Sequence, residues 1–156
     1  MKITLHQTQH KVADFDNIIK YLEEIKTPGV HLFCELYLTG YPLQDLCLQK
    51  SFIDAYQNTL KDLKTISKMM SEEQVFLMGG LDYNLSEEGL PIDIKNVIYQ
   101  VDNKGVHPLY TKQLLPNYDI FDEQKYFTAG DKSFVWEYKS KKIGLYLFIF
   151  LLYWND

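Results

Sequence analysis

Glu35 and Lys112 are the two side chains whose types and settings suit chemistry. Glu35 lies in Phe33-Cys34-Glu35-Leu36, at the end of an apolar run. A carboxylate among apolar neighbours loses solvation, which is one way a general base is made. Lys112 follows the strand-like run that ends at Tyr110, and its ammonium can oppose a developing negative charge. Position alone leaves plain readings open. On position alone, Glu35 reads first as a strand-end residue facing water, and Lys112 as a surface lysine.

The elements that must carry these side chains follow from the apolar spacing. Residues 3–6 read as a first strand. Asp14 offers an N-cap, and Phe15, Ile18, Ile19, Leu22 and Ile25 repeat at helical spacing, so residues 14–25 read as an amphipathic helix. Thr27-Pro28-Gly29 stops it, and residues 30–36 read as a buried strand ending at Glu35. Residues 51–70 form a second amphipathic helix with Phe52, Ile53, Tyr56, Leu60, Leu63 and Ile66 on one face. Residues 75–78 read as a short strand that stops at Gly79-Gly80, and residues 84–93 as a polar loop. Residues 95–101 and 106–110 flank Asp102-Asn103-Lys104-Gly105, a hairpin signal. Residues 112–131 form a long irregular stretch rich in aromatics, a type of loop that is often functional. Residues 133–138 and 143–153 read as a last strand pair. The order implies an α+β fold, with helices packed on one face of a mixed sheet.

The wording around the two candidates narrows the reading. "FCELYLTGYPLQDL" (residues 33–46) and "YTKQLLPNYDIFDEQKYFTAGD" (residues 110–131) resemble two signature segments of the nitrilase, or carbon-nitrogen hydrolase, superfamily. The branch they resemble is the N-terminal glutaminase domain of glutamine-dependent NAD synthetases. Gln7 and "VADFDNI" (residues 12–18) resemble the family's opening strand, turn and first helix, with Ala13 where Gly is usual. The resemblance implies part of an α-β-β-α sandwich and a Glu-Lys-Cys triad. Glu35 matches the Glu and Lys112 the Lys. Glu123 matches a supporting acid, with Asp122 as a weaker candidate. As a plain alternative, Glu123 pairs with a loop lysine such as Lys125. Tyr41, Tyr118 and Phe121 match positions lining a glutamine pocket, or else they pack the two loops together.

The pattern breaks where the nucleophile belongs. The family's Cys follows a strand of the form Ile-Gly-Leu-Leu-Ile-Cys-Glu-Asp, whereas residues 142–156 read "KIGLYLFIFLLYWND". Counting from Gly144 puts Phe148 at the cysteine, and counting back from Trp154 puts Phe150 there. Cys34 is expected to point away from the pocket by strand alternation. Cys47 reads as a small buried hydrophobe. The chain is therefore expected to be an incomplete glutaminase domain over residues 1–156, lacking its C-terminal half and the synthetase domain, and inactive alone. A truncated product with its frame shifted near Tyr146 accounts for the ending. No Ser-Gly-Gly-x-Asp-Ser segment occurs, so ATP and deamido-NAD, which would bind the synthetase domain, have no site here; no cofactor and no metal are expected.

Composition bounds the rest. The 156 residues suit one domain, and 46% of them are hydrophobic, enough for a packed core. Net charge is −5, and all 16 basic residues are Lys, so the Arg that grips phosphate backbones is missing and nucleic acid is excluded as a partner. The longest apolar run, residues 143–154, is shorter than the roughly 20 residues a bilayer span needs. The start has no apolar leader, and two cysteines make no disulfide scaffold, so a cytoplasmic protein is expected. The family likeness implies glutamine as ligand, and a homo-oligomer or association with an intact subunit. Two alternatives stand beside the glutaminase reading: a non-catalytic binding or assembly module, and an amidase of another nitrilase branch.

Overall fold

The structure is a computed structural model that describes residues 1–118 and 121–147. Five strands form one sheet in the order β1 (Ile3–Leu5), β2 (Gly29–Leu32), β3 (Gln74–Leu85), β4 (Pro91–Asp102), β5 (Gly105–Thr111). β1, β2 and β3 run parallel, and β3, β4 and β5 antiparallel. The sheet is mixed, as the sequence implies. The parallel crossovers are α1 (Phe15–Glu24) and α2 (Lys50–Met69). Both lie on one face, over a core that includes Ile18, Leu22, Tyr56, Leu63, Phe76 and Tyr99. The other face is covered by a hairpin of β6 (Phe134–Tyr138) and β7 (Lys141–Leu145), whose Trp136 packs with Val30, Leu77, Ile98 and Tyr110. The layers run helices, sheet, hairpin. Trp136 also donates its indole N–H to Gln100 Oε1 at 2.8 Å, which ties the hairpin to β4.

Three boundaries differ from the sequence reading, and one residue explains two of them. β2 ends at Leu32 rather than at 36, and β3 runs for 12 residues straight through Gly79-Gly80. After Phe33 N–H donates to Leu77 O, the chain leaves the sheet in a turn over residues 34–40. That turn lies directly on β3: Gly79 N–H donates to Cys34 O, and Leu38 N–H to Gly79 O. A Cβ at Gly79 would collide with the backbone of Cys34, Glu35 and Leu36. The glycine is there for close backbone approach within a strand, not to end it. Glu35 is therefore a turn residue beside β3. Third, half of the expected polar loop at 84–93 is strand, because β3 and β4 pair out to Leu85 and Pro91 around a tight turn. The 102–105 hairpin forms as expected, with Asp102 Oδ1 accepting from Lys104 N–H at 2.8 Å.

The β1–β2 edge carries a directed chain of hydrogen bonds. His31 is buried, and its Nε2 bonds Thr27 O at 2.9 Å. A carbonyl only accepts, so that nitrogen bears the proton and Nδ1 accepts from His6 Nε2 at 2.8 Å. His6 Nδ1 in turn accepts from the Tyr21 hydroxyl at 2.9 Å. Burial, and secondarily His31, hold the His6 imidazole below its ordinary pKa.

Two outcomes follow from this architecture. Gly79→Ala should cost about 2–3 kcal/mol, read from urea denaturation midpoints, because backbone rather than a movable side chain occupies the space. Because the His6 pKa is depressed in the folded state, the unfolded chain binds more protons in that range. Its contribution is thus present above the ordinary histidine pKa and lost as pH falls below it. His6→Asn should flatten the fall in stability between pH 7.5 and pH 5 measured by urea titration.

Candidate active site

Four elements converge at one end of the sheet. The turn after β2 brings Glu35, the residue after β5 is Lys112, the middle of β4 brings Asn96, and the short helix α3 (Glu123–Tyr126) brings Glu123. Lys112 is held by its own backbone: its N–H donates to Asn96 O, and its carbonyl accepts from Gly130 N–H, both at 2.8 Å. The long 112–131 stretch is pinned further by Glu123 N–H to Pro116 O and Thr128 N–H to Ile94 O. It is a strap laid over the sheet end, and Phe127 anchors it in the helix-side core.

The side chains form a closed set. Lys112 Nζ lies 2.7 Å from Glu35 Oε1 and 2.8 Å from Glu123 Oε2. Asn96 Nδ2 donates to the same Glu35 oxygen at 2.7 Å. Lys112 has 1% of its side chain exposed, Glu123 3% and Glu35 20%. A buried ammonium with two carboxylate partners is the arrangement that offsets its lost hydration. Burial pushes the Glu123 carboxyl above its ordinary pKa, although the Lys112 bond pulls the other way and Glu35 adds repulsion. Tyr41 is pushed up to about 12, by burial first and then by the fields of Glu123 and Glu35.

No protein-family model matches the chain. Over 93% of its length it is 30% identical to the glutamine-dependent NAD(+) synthetase of Thermotoga maritima. The solved glutamine-dependent NAD+ synthetase of Acinetobacter baumannii superposes with a TM-score of 0.71 at 25% identity, covering 92% of this chain and 27% of that one. A CN-hydrolase superfamily protein from Xanthomonas campestris superposes with a TM-score of 0.66 at 15% identity, covering 91% of this chain and 51% of that one, which shows the shared fold.

The chain has the fold of the carbon-nitrogen hydrolases, and its sequence is similar to that of glutamine-dependent NAD(+) synthetases.

It spans about a quarter of the length of the curated synthetases it matches, 25% of the Thermotoga protein.

The structure brings Lys112 into direct contact with both Glu35 and Glu123, two acids that stand 88 positions apart in the chain. The alternative pairing of Glu123 with Lys125 does not occur. Lys125 instead reaches Asp45 Oδ1 at 3.3 Å, beside the Tyr126 hydroxyl at 2.8 Å from the same oxygen. Asp122 is exposed. Tyr41 and Glu123 line a cavity of about 290 Å³ between the residues following Gly40 and α3. Phe121 packs against Tyr41 with the rings tilted and their centroids 6.2 Å apart, and Tyr118 meets Phe121 edge-on at 5.8 Å, but neither lines that cavity. Tyr118 lines a separate groove with Leu114 and Leu115.

A second cavity, of about 360 Å³, has Glu35, Gly79 and Ile98 on one side and residues 144–147 on the other. Tyr146 and Leu147, directly after β7, thus share this cavity with Glu35. Phe148 and Phe150, the two positions matched to the nucleophile, lie outside the described residues. Cys34 is exposed and does not line the cavity, although the reason differs from strand alternation, since it sits in the turn. Cys47 is fully buried in the helix-side core, with Sγ on Gln44 O. Among the described residues no cluster of His, Cys, Asp or Glu could hold a metal, and no helix is long and apolar enough to cross a membrane. The sequence reading missed Asn96. Its one signal was an amide directly before the apolar run Val97-Ile98-Tyr99.

Lys112→Met leaves two facing carboxylates with no cation. It should cost about 3–5 kcal/mol by urea denaturation, as for other broken buried pairs. With the ammonium gone, Glu123 keeps its proton to higher pH, so the loss should be larger at pH 8 than at pH 5.

Proposed function

We propose that this chain carries the amide-recognising, acid–base part of a glutamine amidohydrolase site and does not complete turnover by itself. The observation that carries the reading is Lys112 clamped between Glu35 and Glu123 at 2.7 and 2.8 Å. An ammonium so held suits the oxyanion that forms when a nucleophile adds to a carboxamide. Glu35, the more exposed of the two carboxylates, suits a base that takes the nucleophile's proton and returns it to the departing ammonia. The C–N bond breaks, an acyl-enzyme remains, and water then releases the acid. Kinship with glutamine-dependent NAD(+) synthetases supports L-glutamine as the carboxamide. The same chemistry needs a thiolate, and the two cysteines of the chain stand outside the cavity beside Glu35. Loss of a covalent nucleophile costs about a millionfold in kcat where it has been isolated.

Purified chain should release no ammonia from L-glutamine above a protein-free blank. In NMR titrations, glutamine should shift resonances of Glu35, Lys112 and Tyr41. Turnover that survives the Cys34→Ala, Cys47→Ala double variant would overturn the need for a thiol. Absence of any glutamine-dependent shift would overturn the amide reading in favour of an assembly module.

A further inference from the structure

Between Lys95 and Gln100, β4 is apolar except at Asn96. Val97, Ile98 and Tyr99 are buried hydrophobics, while Asn96 is fully buried and polar. A buried amide costs free energy unless it is bonded, so its partners say what it is for. Its Nδ2 donates to Glu35 Oε1 at 2.7 Å, and its main-chain oxygen accepts from Lys112 N–H at 2.8 Å. One residue therefore holds both members of the charge pair, the first by side chain and the second by backbone. The orientation of the amide is set by charge, because the reversed amide would place a carbonyl oxygen against a carboxylate. Asn96 Oδ1 has no partner among the described residues, so the amide is not held by bonds to the strand itself.

The bond distribution on Glu35 is lopsided. Oε1 receives both Asn96 and Lys112, while Oε2 accepts no hydrogen bond from the described residues. The Lys112 bond alone leaves the carboxylate free to turn about its terminal torsion, which has a broad, nearly two-fold profile. A second donor arriving from a rigid strand removes that freedom.

We propose that Asn96 is a positioning residue for Glu35. It fixes Oε1 as the anchored oxygen and leaves Oε2 as the one free to exchange a proton at the cavity shared with β7. The inference rests on the amidohydrolase reading for what Oε2 does, but not for its geometry. Its test therefore needs no turnover. Uniformly 13C,15N-labelled full chain is compared with Asn96→Leu, Asn96→Ala and Glu35→Gln. Leu keeps the shape of Asn without its donor, so the fold should survive it better than the void left by Ala.

In the parent chain, one Asn96 side-chain amide proton should lie downfield and exchange slowly. In Glu35→Gln that proton should lose its downfield shift and exchange about tenfold faster, the effect of weakening one charge-assisted bond. In Asn96→Leu the Glu35 carboxyl 13C signal should move while that of Glu123 stays in place. A packing role would lower the melting temperature of Asn96→Ala and leave the Glu35 signal of Asn96→Leu at its parent position, which would overturn the proposal. An unshifted Asn96 amide proton in the parent chain would overturn it as well, even if the Asn96 variants fail to fold. Either result leaves the amidohydrolase reading standing, since that is decided by glutamine titration and ammonia release.

Discussion

A lysine ammonium with 1% of its surface exposed needs negative partners, and the form of this protein's functional end follows from how they are supplied. Lys112 is given two carboxylates from distant parts of the chain, Glu35 and Glu123. Neither is carried by a long regular element. Glu35 sits in a turn packed onto β3, and Glu123 opens a helix of four residues. The sheet provides the fixed frame, and Lys112 and Asn96 are hydrogen-bonded to each other at its end.

That requirement accounts for several features that look unrelated. Gly79 lacks a side chain because the Glu35 turn must lie against β3. Gly130 lacks one because the returning strap passes against Thr111, the residue before the lysine. Phe127 is buried to hold the strap down, and Asp45, Lys125 and Tyr126 tie its outer side to the arm that carries Tyr41. The exposed members of that tie add little stability on their own. Their effect is on the shape of the cavity they close.

The charge count also separates the two carboxylates. Two acids share one base, and the more deeply buried acid, Glu123, has its carboxyl raised above the ordinary range by desolvation. Glu35 keeps an edge at the cavity lined by the residues after β7. The same pair of residue types in one cluster thus has two environments, one closed and one open. Paired acids held apart in this way are a common basis for acid–base work. The chain is similar to glutamine-dependent NAD(+) synthetases, and the geometry says how it holds the cluster.

Much of this was determined by the sequence itself. Helical spacing places α1 and α2, the Asp102–Gly105 signal places the β4–β5 turn, and the wording around Glu35, Lys112 and Glu123 singles out three residues that the fold brings together. These are local patterns, and local patterns are legible in one dimension. The sequence misplaced Glu35 in a strand and read Gly79-Gly80 as an end, because a glycine that stops a strand and one that admits a neighbouring backbone look alike without the neighbour. It passed over Asn96, since an amide in a strand carries no sign of a partner that lies outside its own segment. Which lysine Glu123 pairs with was also undecidable, as Lys125 is near in sequence and Lys112 near in space. Those questions turn on contacts between residues dozens of positions apart, and only the folded sheet, strap and turn bring such residues within hydrogen-bonding distance.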